Sequence, residues 1–304
     1  MNMENNNCVI GLCVYNNEPG LPSVLSNIIK MSKSNLFEKI TVVAFYDSSS
    51  DKSYSIMEQF KSQCSTSNCI EMVIITNKSN ASRQMRMDFG GVNRVLDKNR
   101  TARIAIARNG ILKYIRVQQT SGVYNKYFIM MDSNEYACVG QINIETLRST
   151  LHRSDHWDSI SFDREAGYYD YWALSFDPYI YSFYHVENRN ETLSNMVASF
   201  ATKLKNAKNV DGQYDLIPVY SSYNGFAIYK TDMFLNCSYS SEININLFPK
   251  QLLPSKISNN FKNDCEHRKF HLEAIKKNNA RIVVSPLSIF YKLPIKNPAL
   301  RGPA

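Results

Sequence analysis

Four apolar runs, each stopping at a cluster of Asn, Asp or Ser, constrain this chain more than any other feature. They are Cys8–Tyr15, Lys39–Tyr46, Ile70–Thr76 and Tyr127–Met131, and the polar clusters that end them are 16–18, 47–51, 77–80 and 132–134. A short apolar run without polar alternation reads as a strand buried on both faces, as in a parallel sheet covered by helices. The intervening segments read as helices near 22–34, about 51–63 and roughly 101–119. Strict alternation of strand and helix predicts an α/β fold with a mostly parallel central sheet flanked by helices. Ligands of such sheets bind beyond the carboxyl ends of the strands, so the four clusters are expected to meet in one cleft.

The last run stops at Asp132, with Asn134 two residues on. Residues i and i+2 of an extended chain face the same side, so the two side chains can aim hard oxygen donors at one Mn²⁺ or Mg²⁺ ion. Asp and Asn after a strand also form plain turns.

The second half is less regular. A short strand is expected around Trp157–Phe162, an aromatic segment spans Gly167–Leu174, and 191–208 reads as an amphipathic helix rich in Lys. A helix follows the N-cap candidate Asp264, and Arg281–Ser285 reads as a last strand. The Pro- and Gly-containing tail, 297–304, is expected to be disordered.

With 304 residues and 44% hydrophobic content the chain can bury a large core. The net charge of +8 favours anionic partners. Its basic residues are scattered, however, which argues against a nucleic-acid track. Seven cysteines form no C-x-x-C pair, so no zinc site is expected. They read as free thiols of a reducing compartment, with a Cys64–Cys69 disulfide left open. No secretory leader is visible, and no run approaches the roughly 18–20 apolar residues that span a bilayer. The expected setting is cytoplasmic, with no membrane span.

Four pieces of the first 135 residues resemble, in order, the nucleotide-binding half of type-A-fold glycosyltransferases, especially the large inverting family that includes chitin and cellulose synthases. Val14-Tyr-Asn-Asn-Glu18 is similar to that family's first strand and loop, and Tyr46-Asp-Ser-Ser-Ser-Asp51 to its acidic turn. Ala105-Ile-Ala-Arg-Asn109 is similar to its Ala-Arg-Asn helix start, and Met131-Asp-Ser-Asn134 takes the place of its Asp-x-Asp metal motif. The block 103–109 and the strand after it also resemble the mannosyltransferases of fungal capsule synthesis. Tyr169–Leu174 and Cys265–His267 resemble glycosyltransferases of large DNA viruses and bacteria, which implies a viral protein working in host cytoplasm.

The resemblance implies a Rossmann-like type-A glycosyltransferase fold. Residues 1–136 would be the nucleotide-sugar-binding half, and 137–296 the acceptor and catalytic half of the same domain. It implies a nucleotide-sugar donor, a UDP-sugar first, a glycan or glycoprotein acceptor, a divalent metal and inversion at the anomeric carbon. Tyr15, Asn16, Glu18 and Asp47 match positions near the nucleoside, and Arg103, Arg108 and Asn109 positions near the nucleotide, where Arg108 contacts phosphate or ties Asp132 in place. Asp132 and Asn134 would hold the metal, completed by His267 or His271, which share one helix face. Asn134 departs from the family's second carboxylate, which weakens the metal site. Glu266, at a helix start that keeps a carboxylate ionised, would be the base, with Asp264 the competing choice. Asp170 and Trp172 would shape the sugar pocket, and Gly225 would let backbone approach the donor sugar. The alternatives are a nucleotidyltransferase, which normally carries a Gly-rich phosphate loop that this chain lacks, and a degenerate transferase that only holds glycans.

Overall fold

A computed structural model describes residues 6–77, 98–165, 167–208, 213–249 and 263–292. The strands are β1 (Cys8–Val14), β2 (Ile40–Tyr46), β3 (Ile70–Thr76), β4 (Tyr127–Asp132), β5 (Gln141–Ile142), β6 (Ser159–Asp163), β7 (Ile217–Val219), β8 (Phe226–Lys230), β9 (Ile282–Ser288) and β10 (Phe290–Tyr291). The helices are α1 (Leu21–Ser32), α2 (Ser53–Cys64), α3 (Lys98–Thr120), α4 (Ile144–His152), α5 (Arg189–Asn206), α6 (Thr231–Phe234) and α7 (Glu266–Asn278). Eight strands form one sheet in the order β3-β2-β1-β4-β8-β6-β9-β7, and β5 and β10 pair separately. Only β8 and β7 run against the others, so the sheet is mostly parallel, as expected. The same sheet continues from the first half of the chain into the second.

The central strands are apolar on both faces because both faces are covered. Ile10 and Leu12 of β1 pack with Leu21, Val24 and Ile28 of α1 on one side. Val9 of β1 and Phe128 of β4 pack with Ile111, Leu112 and Ile115 of α3 on the other. This division is the two-residue period of a strand. Gly11 sets how close α3 lies: a Cβ there would sit 2.8 Å from Ile111 Cγ2 and 2.9 Å from Met130 Sδ.

Several boundaries differ from the sequence expectation for local reasons. β1 stops at Val14, because Asn16 takes a left-handed conformation (φ 50°) and turns the chain out of the sheet. Trp157 precedes its strand; it is fully buried and its indole N–H donates to the Thr150 carbonyl at 3.1 Å. The last long strand runs on to Ser288. Helix α7 starts at Glu266, with Cys265 rather than Asp264 at the N-cap. All seven cysteines are free, so the Cys64–Cys69 disulfide left open by the sequence is not formed. Residues 78–80 of the third polar cluster and the tail 297–304 lie outside the described residues. Among the described residues no helix is long and apolar enough to cross a membrane.

The far end of the sheet is tied by a buried charge. Asp158 (5% exposed) precedes β6 and accepts from Lys230 Nζ at 3.1 Å, at the end of β8. It also accepts from Arg281 just before β9, through the backbone N–H (2.9 Å), Nε (3.0 Å) and Nη2 (3.1 Å). Burial pushes its carboxyl up, but the hydrogen bonds from Arg281 and Lys230 outweigh that and hold it below the usual 3.8. A depressed carboxyl stabilises the fold fully above its unfolded value and loses that contribution as pH falls through the folded one. We therefore expect Asp158→Asn to cost on the order of 1–2 kcal/mol at pH 7, since both cations keep access to water. The difference from wild type should shrink below about pH 4 in urea melts. A pH-independent difference would show that the side chain acts by shape alone.

Candidate active site

The carboxyl ends of β1, β2 and β4 open into a cavity of about 750 Å³, walled by α3, the aromatic segment after β6 and the start of α7. Among the described residues, three of the four polar clusters reach it, with Asn16 and Asn17 from the first, Asp47 from the second, and Asp132 to Asn134 from the fourth, and Tyr15 lines it beside them. The polar clusters converge because parallel strands place their carboxyl ends on one edge.

At the floor lies an Arg108 side chain from α3, 5% exposed. Its Nη2 is 3.5 Å from Asp132 Oδ1 and its Nε 3.2 Å from Glu266 Oε1. The guanidinium lies over the Tyr223 ring, 4.4 Å from the centroid. Burial works against its charge, but Tyr223, Glu266, Cys13 and Asp132 around it hold its pKa well above the ordinary arginine value. Arg108 Nη1 is buried without a hydrogen-bond partner, a donor left for a ligand. Arg108 thus lines the cleft and lies beside Asp132.

Asp132 ends β4 with its backbone N–H donating to Gly225 O at 2.8 Å. Its Oδ1 accepts from the Tyr223 hydroxyl at 2.8 Å. Tyr223 in turn stacks on His267, centroids 4.0 Å apart. His267 is 1% exposed, and neither ring nitrogen has a hydrogen-bond partner. Burial first, then Arg108 and His271, push its pKa well down, so the ring is neutral and its 3.6 Å approach to Glu266 is not an ion pair at neutral pH. A buried neutral imidazole with both nitrogens unpaired has the chemistry of a metal ligand.

The segment after β6 supplies Asp170 and Trp172, both on the cavity wall. Asn224, itself left-handed (φ 57°), accepts from the Tyr169 and Asp170 backbone N–H groups at 3.0 and 3.2 Å. Trp172 is half-buried, and its indole N–H has no partner. Tyr171 is core, packed edge-on against Tyr168. Arg268, fully buried on α7, donates to the carbonyls of Trp172, Leu174 and Ile180, and so binds the aromatic segment to the helix that carries Glu266 and His267.

Six sequence expectations need correction. Asn134 does not point its oxygen at Asp132: Oδ1 accepts from the Tyr136 and Ala137 N–H groups at 3.2 and 2.8 Å, and Nδ2 faces Asp132 Oδ2 at 3.3 Å. It is an Asx turn, as the turn-forming reading of that motif allows. His271 is fully buried in the core with both nitrogens occupied, by Ser221 Oγ at 3.0 Å and Tyr229 OH at 3.2 Å, and burial pushes its pKa down to about 3. Asp264 points away from the cleft and pairs with Arg268 Nε at 2.7 Å, which leaves it structural. Glu18 caps the start of α2, its carboxylate accepting from Lys52 N at 3.1 Å. Asn109 clasps Tyr239 through both backbone groups at 2.9 Å. Gly225 (φ 84°) is needed for a close approach to protein rather than ligand: a Cβ there would lie 2.6 Å from the Tyr169 hydroxyl and 2.9 Å from Ala137 Cβ. Of the remaining candidates, Tyr15, Asn16, Asp47, Arg103, Arg108, Asp132, Asp170, Trp172, Glu266 and His267 all line the cavity.

Sequence reasoning missed Arg268 and Arg100, and it reached Tyr223 only as part of the 223–226 loop around Gly225, without a role for its side chain. Arg268 follows Asp264 by four residues, a spacing that could have shown the pair, and Arg100 lies one helical turn before Arg103 on the cavity side of α3. Nothing in the sequence singles out Tyr223 among the 19 tyrosines.

The chain is loosely similar to many solved structures, three of which follow. S. aureus TarS, residues 1–349, is 16% identical with a TM-score of 0.44, and the match covers 94% of this chain and 59% of that one. A mannosyltransferase from Pyrobaculum calidifontis in complex with GDP-Man and Mn²⁺ is 9% identical (TM-score 0.41; 91% and 55% covered). The glucosyl-3-phosphoglycerate synthase of Mycobacterium tuberculosis with Mn²⁺, UDP and glucosyl-3-phosphoglycerate is 10% identical (TM-score 0.35; 75% and 58% covered). The chain thus spans less than two thirds of the length of each. No curated protein matches it. The model of the cryptococcal mannosyltransferase 1 family matches residues 7–276, and over that span, which holds the whole cavity wall just described, the chain belongs to this family of glycosyltransferases.

Proposed function

We propose that the protein transfers a hexosyl group from a nucleotide-sugar to a glycan or glycoprotein acceptor. The observation that carries this reading is the unpaired donor of Arg108, buried beside Asp132 at the carboxyl edge of a mostly parallel sheet in a chain of this family. A guanidinium binds phosphate oxygens with directed N–H bonds, and a buried one does so without competition from water. In this reading Tyr15, Asn16 and Asp47 meet the nucleoside, Arg103 and Arg108 the diphosphate, and the second half of the chain the acceptor.

Glu266 fixes Arg108. Its carboxylate lies in the first turn of α7, where the helix end favours negative charge, and it holds the guanidinium at Nε while Asp132 lies at Nη2. As the bond from the anomeric carbon to the diphosphate breaks, charge gathers on the leaving phosphate. A cation already held in place stabilises that charge without reorganising. The donor base stays between UDP, the reading from the sequence, and GDP. The cytoplasm of a virus-infected host is the setting we propose from the sequence likeness; a tagged copy seen in the secretory pathway would exclude it.

The residues present fit a divalent ion only as a two-ligand site completed by the donor. Asn134 is not a ligand as placed, and among the described residues no three His, Cys, Asp or Glu side chains converge. The Asp132 Oδ2 atom and the orphaned nitrogens of His267 are the groups that would hold Mn²⁺ or Mg²⁺. Bound there, the ion would neutralise phosphate charge as a Lewis acid.

Two outcomes follow. In thermal-shift titrations against UDP, GDP, CDP and ATP, one nucleoside diphosphate should raise the melting temperature in a saturable way, since a ligand that binds only the native state adds RT ln(1 + [L]/Kd). No shift with any of the four at several millimolar, on the order of a thousand times a micromolar Kd, would remove the donor site. Adding Mn²⁺ should tighten that nucleotide, and Asp132→Asn or His267→Ala should each reduce the Mn²⁺-dependent part by roughly tenfold or more. If His267→Ala leaves the Mn²⁺ effect intact, the ring is only a stacking partner of Tyr223.

A further inference from the structure

Helix α3 brings Arg100, Arg103 and Arg108 to the cavity. It joins two parallel strands of one sheet, so it runs against them, and its first turns stand beyond their carboxyl edge. Arg108 meets Asp132 at the strand end. Arg100 lies two helical turns nearer the helix start, about 12 Å farther out along the axis. It is half-buried, and among the described residues no hydrogen bond or ion pair engages its guanidinium.

The surroundings of Arg100 are aromatic. Tyr136 and Trp172 share the cavity wall with it. Tyr136 stands edge-on to Tyr169, centroids 6.4 Å apart, and Trp172 edge-on to the buried Tyr184 at 5.6 Å. Burial pushes the phenols of both Tyr136 and Tyr184 up. Arg189, the first residue of α5, and then Arg100 pull against that rise at Tyr184. At Tyr136 Asp132 adds to the rise and Arg100 opposes it. The field of Arg100 therefore reaches both ends of this aromatic wall.

We propose that Arg100 selects an acceptor that carries an oxyanion, a carboxylate or a phosphate, on a sugar seated against Tyr136 and Trp172. This rests on the transferase reading above, and it adds one residue of the first half of the chain to the acceptor side. Aromatic rings offer a sugar an apolar face beside a polar edge. A guanidinium among rings, with no carboxylate on it, carries a charge that a neutral hydroxyl would leave unanswered. An oxyanion answers the charge and fills the two-pronged donor together. The diphosphate of the donor is met on the floor by Arg108, so the anion that suits Arg100 comes with the other substrate. The net charge of +8 would draw such an acceptor to the protein.

The test titrates methyl α-mannoside, mannose 6-phosphate and methyl β-glucuronide against the whole chain by ligand-observed NMR. The donor site is first filled with GDP or UDP and Mg²⁺, so that a probe phosphate cannot occupy it. At least one anionic probe should bind about tenfold or more tightly than methyl α-mannoside, and the two anionic arms show which oxyanion the site takes. In Arg100→Gln that advantage should fall to about twofold or less, with the Kd of nucleotide and of methyl α-mannoside unchanged. Arg100→Lys should keep more of it for the phosphate than for the carboxylate, because a lysine is a point charge without the fork. The proposal is overturned if the neutral sugar binds as tightly as both anions, or if none of the three binds. It is overturned too if the advantage survives Arg100→Gln, which would make it a property of overall charge. Weaker nucleotide binding by Arg100→Gln would place Arg100 in the donor site and overturn it as well. Wild-type protein that binds neither nucleotide refutes the transferase reading instead, and the anion preference is then judged on the nucleotide-free protein.

Discussion

A buried guanidinium with carboxylates on two sides is the constraint around which the cleft is arranged. Arg108 reaches the floor from α3, Asp132 comes from the end of β4 and Glu266 from the start of α7. The first two follow one another in the chain and the third comes from its far end, and each brings a charge that would be costly to bury alone. Together they offset one another, and Tyr223 shares the remaining surface by lying under the guanidinium and donating to Asp132. One N–H group of Arg108, a residue that lines the cavity, is left without a hydrogen-bond partner. Packing and function therefore make the same demand on this residue: it is buried enough to be rigid and unsaturated enough to bind an anion.

The antiparallel strand β8 has a second part in the site. It inserts beside β4 and delivers the turn that precedes it to the carboxyl edge of the parallel half. That turn carries Tyr223, Asn224 and Gly225. Gly225 receives the Asp132 N–H, Asn224 holds the Asp170 backbone, and Tyr223 links Asp132 to His267. One turn thus touches three groups of the cleft, and the left-handed conformations of Asn224 and Gly225 are what allow it to do so. Arg268 performs the equivalent task from α7, trading its hydrogen bonds among three carbonyls so that the aromatic segment stays against the helix.

Much of the architecture was legible in the sequence because it depends on local periodicity. Continuous apolar runs such as Val9–Leu12 and Phe128–Met131 can be buried on two faces only in a sheet with helices on both sides, and they are. The convergence of Asn16, Asp47 and Asp132 followed from strand direction alone. What misled was side-chain commitment. The spacing of Asp132 and Asn134 is right for a shared ion, but whether an amide oxygen is free depends on which backbone N–H groups lie behind it, here those of Tyr136 and Ala137. The pair His267 and His271 shares a helix face, yet one ring abuts the cleft and the next reaches Ser221 and Tyr229 in the core.

The sequence by itself determined the alternation of strands and helices through β4, the edge of the sheet where ligands meet and the residue types available there, because hydrophobic period and strand polarity are local properties. Only the tertiary structure decided which of those residues face the cavity and which are spent on holding it. Asp264 and Asp170 are both carboxylates near the same aromatic segment, and the first is closed off by Arg268 while the second stands open. That difference is set by a guanidinium brought in from another element, and the energy of a buried charge depends on its nearest partners in space and not on its neighbours in the chain.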